Sequence, residues 1–207
     1  YKHDWSNNLA TSFGLFFEVA EGNRFAGAGG NRYSFVYSGD VNGDGMAGND
    51  LIYIPNDQGE INLDPYTDAG GSQVSAAAQW QAFDAFIEQD DYLRSHRGKI
   101  ADRFGALNPW FSNIDLRILQ DFSLNLGAKK HTFQFSFDIL NVANLLNSDW
   151  GVRNAATSAA TSPLELVRFN ESGAPVFYFK GIAKETYVDD PGLYSRWRIQ
   201  TGIRYFF

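Results

Sequence analysis

The chain has 207 residues, no cysteine and a formal net charge of −7. This length allows one large or two small domains. The lack of cysteine excludes disulfides and thiolate metal sites, and the acidic balance argues against nucleic acid as a partner, because phosphate binding needs concentrated lysine and arginine. No stretch approaches the roughly 20 apolar residues of a membrane helix, so the chain is predicted to be soluble or to cross a membrane as strands.

The first predicted element is a strand at about residues 9–19. Its sequence alternates with a period of two residues, as half-buried strands do. Phe16 is the exception, because it falls among the polar positions. The apolar face of this strand carries Thr11, Phe13, Leu15, Phe17 and Val19.

An acidic segment, DVNGDGMAGND, follows at residues 40–50. Acidic or amide side chains at its first, third and fifth positions, with Gly45 at the sixth, are typical of EF-hand calcium loops. The closing acid, Asp50, stands at position eleven instead of twelve, so a solvated Gly- and Asn-rich turn is the alternative. The predicted calcium ligands are Asp40, Asn42, Asp44, Met46 through its carbonyl, and Asp50.

The rest of this first long connection contains a short strand candidate and a helix. LIYIP resembles a strand that ends at Pro55, and VSAAAQWQAFDAFIEQDDYLRSH places Trp80, Phe83 and Ile87 at helical spacing. We expect this helix to pack as a lid on the base of the loop. Its acidic pair, Asp90–Asp91, predicts a solvated acidic turn rather than a pair of catalytic carboxylates.

Two further strands are predicted at about 111–126 and 131–142, joined by a short turn at 127–130. In the second of them, HTFQFSFDIL, apolar residues alternate strictly with polar ones. Both patterns exceed the five or six residues of ordinary strands. They reach the length that a tilted strand needs to cross a bilayer. The apolar face of the second strand carries Phe133, Phe135, Phe137 and Ile139.

The second long connection, residues 143–194, holds two short strand candidates, LELVRF and PVFYF. A last long strand is predicted at about 195–207, with Trp197, Tyr205 and Phe207 near its ends, where the aromatic girdles of membrane barrels lie. Its three arginines, at 196, 198 and 204, fall on the opposite, lumenal face. There we expect them to pair with Asp115 and Asp121, although attraction of anionic groups is the alternative.

The connections between these four strands are very unequal in length. Short turns on one side and long loops on the other are typical of a membrane barrel, whereas long structureless loops count against an ordinary compact domain. Alternation alone would equally fit a soluble β-sandwich. The polar faces with charges of both signs favour a water-filled lumen and therefore the barrel.

Several segments resemble known membrane proteins. RWRIQTGIRYFF resembles the C-terminal β-signal of bacterial outer-membrane proteins, through Trp197, Ile199, Ile203, Tyr205 and Phe207. The chain also resembles Oar-like TonB-dependent receptors, which carry a carboxypeptidase-regulatory-like domain. This resemblance runs in order through SFVYSGDVNGDGMAGNDLIYIP, FDAFIEQDDYLRSHRGKIADRFGALNPW, DLRILQDF and FDILNVANLLNSDWG.

The resemblance implies an all-β fold: the last four antiparallel strands of a barrel of about 22 strands, with residues 20–110 and 143–194 as extracellular loops. Four strands cannot close a barrel, since the smallest membrane barrels need about eight. The plug domain and the TonB box are therefore expected outside this chain. The implied location is the outer membrane of a Gram-negative bacterium.

The resemblance further implies active uptake of a bulky or scarce substrate. The implied partners are the rest of the barrel and its plug, the TonB energy-transducing complex, outer-membrane lipid and the barrel assembly machinery, with a surface lipoprotein as an open addition. No catalytic motif is recognisable, so the chain is not expected to be an enzyme. Two alternatives stay open: a non-transporting surface protein (an adhesin or an assembly or secretion component), and a soluble calcium-dependent carbohydrate-binding module or enzyme.

Overall fold

The structure is a computed structural model that describes residues 1–22 and 34–207. It is mostly β, with 42% of residues in strands and 17% in helices. The chain divides into two compact units, named here the sheet unit and the loop unit. The sheet unit comprises Tyr1–Gly22, Pro109–Asn154 and Asp189–Phe207, and the loop unit comprises Asn23–Asn108 and Ala155–Val188.

The elements follow one another along the described chain with many short strands between the long ones. The strands are β1 (Lys2–Ser6), β2 (Leu9–Ala20), β3 (Tyr53–Ile54), β4 (Tyr66–Thr67), β5 (Gln73–Val74), β6 (Lys99–Ile100), β7 (Phe111–Leu126), β8 (Lys129–Leu140), β9 (Asn154–Ala156), β10 (Leu164–Phe169), β11 (Pro175–Phe179), β12 (Tyr187–Asp189) and β13 (Arg198–Phe206). The α-helices are α1 (Ala76–Gln89), α2 (Asp91–Ser95), α3 (Val142–Leu146) and α4 (Ser158–Thr161), and two single-turn 3-10 helices lie at Gln58–Glu60 and Leu193–Ser195. Within residues 1–22 and 34–207, no helix is long and apolar enough to span a membrane.

The sheet unit is built on one five-stranded sheet in the order β1-β2-β7-β8-β13. All neighbouring strands in it are antiparallel. Strands lie at all four positions that the alternation predicts, and β7 has the predicted bounds. β2 begins at Leu9 as predicted, and the remaining bounds differ by one to three residues from those expected.

The turn between β7 and β8 is tighter than predicted. Gly127 has φ +63°, a left-handed conformation that favours glycine, and Leu126 pairs directly with Lys129. The turn therefore consists of Gly127 and Ala128 alone, and Lys129 and Lys130 belong to β8. Asn141, with φ +54°, ends β8 two residues earlier than expected.

Strand β1 is not among the strands predicted from the sequence. It pairs with β2 across a turn at Asn7 and Asn8, with His3 opposite Thr11. Its sequence does alternate, with aromatic residues at positions 1, 3 and 5 and polar ones between them. Five residues are too few for periodicity alone to identify a strand.

The loop unit has a hydrophobic core of its own. Its segments are predicted as two separate long loops, but the structure packs α1 and α2 with β3, β10 and β11. The predicted helix is present, and its residues Phe83, Phe86 and Ile87 are 0–3% exposed within this core. The largest fully buried apolar side chains of this core are Phe35, Ile52, Ile54, Phe83, Ile87, Leu93 and Leu164.

The prediction of a solvated acidic turn at Asp90–Asp91 is wrong for its first residue. Asp90 is 4% exposed. Its side chain is the N-cap of α2 and accepts a hydrogen bond from the backbone N–H of Leu93 at 3.0 Å. An aspartate in this position satisfies one of the unpaired N–H groups of a helix start, so its role is structural. Asp91 is exposed and contacts Arg94.

Candidate functional site

The register of the sheet unit brings the predicted apolar faces onto one side of the sheet. In antiparallel neighbours, directly opposed residues lie on the same face. Ile118 of β7 lies opposite both Phe13 of β2 and Phe137 of β8. The apolar face so formed includes Phe13, Leu15, Phe17, Ile114, Leu116, Ile118, Phe122, Phe133, Phe135, Phe137, Ile139, Ile199, Ile203 and Tyr205.

This apolar face is open instead of buried. Ten of these fourteen side chains are exposed, from 38% at Phe137 to 72% at Leu15, and the other four, Ile114, Leu116, Ile118 and Ile139, are half-buried. Soluble proteins rarely expose continuous apolar patches of more than a few hundred Å². A sheet face of this extent needs an apolar partner.

Thr11 and Gln120 are polar side chains within the apolar face, and they hydrogen-bond to each other. The Thr11 hydroxyl donates to Oε1 of Gln120 at 2.6 Å, and Trp5 donates its indole N–H to Thr11 at 2.8 Å. Gln120 in turn donates to the carbonyl of Ala10 at 2.9 Å. The polar groups of Thr11 and Gln120 thus have protein partners.

The opposite face of the sheet is polar and centres on an ion pair. Arg117 donates to Asp138 through Nε at 2.6 Å and Nη2 at 3.1 Å, which is a bidentate contact. The predicted partners Asp115 and Asp121 have other roles. Asp115 accepts from Asn113 and from the backbone of Asn141, and Asp121 accepts from Gln134.

Asn141 connects the end of β8 to the segment that follows. Its side-chain amide donates to the carbonyl of Gly151 at 2.8 Å. Gly151 has φ +62°, and a Cβ there would lie 2.0 Å from Oδ1 of Asn141. Asn144 then accepts the backbone N–H of Trp197 at 3.2 Å, just before β13. This network accounts for two asparagines and one glycine of the segment FDILNVANLLNSDWG.

The predicted assembly-signal residues lie along β13 or beside it. Ile199 and Ile203 are on the apolar face, opposite Ile139 and Phe135. Trp197 was predicted within this strand, but it precedes β13 and does not pair with β8. Tyr205 contacts Phe133, with 4.7 Å between ring centroids, and Phe207, with 5.6 Å.

The acidic loop folds around its own side chains. Asp40 accepts the backbone N–H groups of Gly43 at 2.7 Å and Gly45 at 2.8 Å. Asp44 accepts the N–H of Met46 at 2.8 Å and the amide of Asn49 at 2.9 Å. These amide donors hold the pKa of Asp44 below its ordinary value, with the Asn49 contact as the largest cause.

The other predicted calcium ligands take structural positions in the loop. Asn42 accepts the N–H of Asp44 at 2.8 Å. Asp50 accepts the N–H of Val41 at 2.7 Å and so closes the loop at its base. Its neighbour Leu51 forms a bridge with Val36, which lays LIYIP against residues 35–37 of the segment RYSFVYS. The first two residues of that segment, 32 and 33, lie outside the described residues.

The donor chemistry of this loop suits a hard cation, because carboxylate and amide oxygens are the ligands of calcium. In the described part of the chain, no group of three or more His, Cys, Asp or Glu side chains is placed so that it could hold a metal ion.

Comparisons with known proteins find no matching family model, no matching curated protein and no matching solved structure. Function is therefore inferred from the two faces of the sheet and from the acidic loop.

Sequence reasoning missed the Arg117–Asp138 pair and the Asn141 network, because both depend on strand register and on contacts that periodicity does not specify.

Proposed function

We propose that the sheet unit is part of the wall of a large outer-membrane β-barrel. The observation that carries this proposal is the apolar face, which spans four strands in register and carries ten large side chains that are 38–72% exposed. In a bilayer this face would contact lipid, and the Arg117 face would line an aqueous lumen. Strands β2, β7 and β8, with 12, 16 and 12 residues, are long enough for a tilted strand to span the hydrocarbon region.

The edges of the sheet support the same proposal. Strands β1 and β13 each have only one neighbour in the five-stranded sheet. Backbone groups left unpaired in lipid cost several kcal/mol each, so both edges need further strands. The rest of the same barrel supplies them in this account, in a total of about 22 strands.

The barrel is proposed to belong to a TonB-dependent transporter that imports a bulky or scarce substrate. This step rests on the resemblance of the sequence blocks to Oar-like receptors. The residues described here supply wall and external loop, whereas the plug and TonB box supply energy coupling. The loop unit, with its own core, would lie outside the cell.

The alternative is a surface protein that uses the barrel as a platform. The observation that favours it is the compact core of the loop unit, since an independently packed external domain suits adhesion or assembly as well as uptake. Both versions keep the sheet in the membrane. They differ in the need for TonB.

The sequence encoded upstream of Tyr1 and the location of the full-length protein test this proposal together. A transporter requires a plug and a TonB box upstream, and its outer-membrane fraction should resist extraction with carbonate. An outer-membrane barrel without a plug would favour the platform. A full-length protein that is soluble without detergent would overturn both.

We also propose that the acidic loop binds one calcium ion in the external medium. Asp40, Asn42, Asp44 and Asp50 would supply side-chain oxygens, and Met46 its carbonyl. In this proposal calcium only holds the ligand residues of the loop together and takes part in no reaction. With the closing acid at position eleven, we expect a geometry distinct from an EF-hand and a dissociation constant on the order of 10⁻⁴–10⁻³ M, as in extracellular modules.

Calorimetric titration with calcium tests the site. The wild-type protein should bind one equivalent, and Asp40→Asn combined with Asp44→Asn should abolish binding. Each asparagine keeps one carbonyl oxygen that can accept the backbone N–H of Gly43 or of Met46, whereas the N–H of Gly45 loses its Oδ2 acceptor. Asp68→Asn is the matched control, because Asp68 caps an ordinary turn through Gly70 and Ser72. Absence of binding at 10⁻² M calcium, an order of magnitude above the weak end of that range, would contradict the proposal.

A further inference from the structure

The short turn between β7 and β8 places a positive charge on the apolar face of the sheet. Side chains alternate along a strand, so odd-numbered residues of β8 share a face with Phe133. Lys129 is therefore on the apolar face and Lys130 on the polar face. Lys129 lies opposite Leu126, which is 61% exposed, so its ammonium group has an apolar cross-strand neighbour.

Lys129 has no acidic partner in the described structure. The ion pairs among residues 1–22 and 34–207 all involve other basic side chains. A lysine on an apolar surface extends its methylene groups along that surface and keeps its ammonium group at the polar boundary. Its charge there is available for an anion.

His131 and Tyr205 lie beside Lys129 on the same face. Nδ1 of His131 is hydrogen-bonded to the Tyr205 hydroxyl, and the two rings stack with 5.8 Å between centroids. When the hydroxyl donates to Nδ1, the ring proton is on Nε2, which leaves a second donor. His131 is two residues from Lys129, roughly 7 Å along the strand, which is within reach of a flexible lysine side chain.

We propose that Lys129 and His131, whose ring is oriented by Tyr205, bind the phosphate group of a membrane phospholipid. This inference rests on the proposed barrel. The ammonium and imidazole N–H groups match the charge and acceptor oxygens of a phosphate diester. Short turns lie at the periplasmic end of barrel strands, at the level of head groups. The acyl chains would lie along Leu124, Leu126 and Phe133, which makes a lipid a better occupant than free phosphate.

Native mass spectrometry of the full-length protein, released from detergent micelles, tests the site. The probes are phosphatidylglycerol, diacylglycerol with the same acyl chains, and inorganic phosphate. We expect retention of phosphatidylglycerol alone. Lys129→Ala and His131→Ala should each weaken this retention about tenfold, the effect of losing one charge-assisted hydrogen bond.

Lys130→Ala is the matched control, because it removes the same charge one residue away on the other face. It should change the retention of phosphatidylglycerol less than about twofold, because surface substitutions usually change a free energy by no more than about 0.5 kcal/mol. Equal retention of diacylglycerol, equal binding of inorganic phosphate, or equal losses in all three variants would overturn the site. Carbonate-resistant membrane association of the same variants separates the two proposals. If the variants insert normally but lipid retention does not change, the lipid site is wrong and the barrel stands.

Discussion

The two units place their apolar residues in opposite ways. In the loop unit Phe83 and Ile87 are 0% exposed, inside a core of helices and short strands. In the sheet unit Phe135 is 43% and Ile203 68% exposed, whereas Asp138 on the other face is only 6% exposed. The loop unit is thus apolar inside, and the sheet unit is apolar on its open face.

This difference shows what each unit needs from its surroundings. The loop unit removes its large aromatic side chains from water by packing them against one another, which is the ordinary source of stability in soluble domains. The apolar face of the sheet unit gains nothing comparable in water. In our account, one chain is stabilised in two solvents, water around the loop unit and lipid around the sheet.

The largest expected effect comes from opening the core of the loop unit. Phe83→Ala should destabilise this unit by about 3–5 kcal/mol, because it removes a fully buried ring and leaves a cavity. Ile182→Ala, at a residue that is 78% exposed in the same unit, should change stability by less than about 0.5 kcal/mol. Hydrogen exchange of the core amides measures both. Equal effects would mean that this core is not packed as described.

A charge on the apolar face of the sheet should be nearly as costly. Phe135→Arg should destabilise the protein in a bilayer by about 2–4 kcal/mol, the cost of arginine on the lipid face near mid-membrane. Gln134→Arg, the adjacent residue on the polar face, should have little effect. Reversible unfolding in lipid vesicles compares the two. A larger cost for Gln134→Arg would reverse the assigned faces.

A smaller effect is expected at the turn held by Asn141. Gly151→Ala should cost about 1–3 kcal/mol, since the new Cβ meets the Asn141 side chain and the backbone has positive φ. Gly127→Ala is the control, because Gly127 has nearly the same φ, +63°, and a Cβ added there would meet nothing within 4 Å. The difference between the two variants in the free energy of unfolding, measured with urea, gives the cost of the contact between the new Cβ and Asn141. Identical costs would show that Asn141 moves freely.

The smallest expected effect is a pH dependence in the loop unit. Arg168 donates two hydrogen bonds to Asp64 and holds the pKa of this carboxyl below its ordinary value. The ion pair therefore contributes stability above about pH 4, the unfolded value, and loses it as the pH falls through the lower folded pKa. Asp64→Asn should be less stable than wild type at pH 7 and equal to it near pH 2. A constant difference at both pH values would contradict this.

The four long strands of the sheet unit, β2, β7, β8 and β13, were predictable because alternation with a period of two persists over nine or more residues in each. Their register was not, since periodicity says which residues share a face but not which residue lies opposite which. Arg117 and Asp138 are 21 positions apart, and only the two-residue turn at Gly127 brings them together. A polar group on the apolar face is costly unless it has a hydrogen-bond partner. This explains why Thr11 and Gln120 lie directly opposite each other and hydrogen-bond.

The loop unit was predictable only in its local elements. The helix at Trp80 and the strands LELVRF and PVFYF follow from spacing, but their common core joins segments about 100 residues apart, such as Gln79 and Phe179. Asp90 shows a second limit. An acidic pair in a polar stretch indicates solvent exposure, and only the break between α1 and α2 gives this carboxylate a helix start to cap.

The measurement that tests the central claim most directly compares two adjacent single-cysteine variants. Phe135→Cys and Gln134→Cys each place one cysteine in residues 1–207, which otherwise have none; any cysteine encoded upstream is replaced by serine so that each variant has one labelling site. With the full-length protein in lipid vesicles, a fluorophore at residue 135 should be quenched by a lipid-soluble quencher and protected from iodide, and one at residue 134 should show the reverse. Quenching of both labels by iodide alone would contradict a lipid-facing sheet.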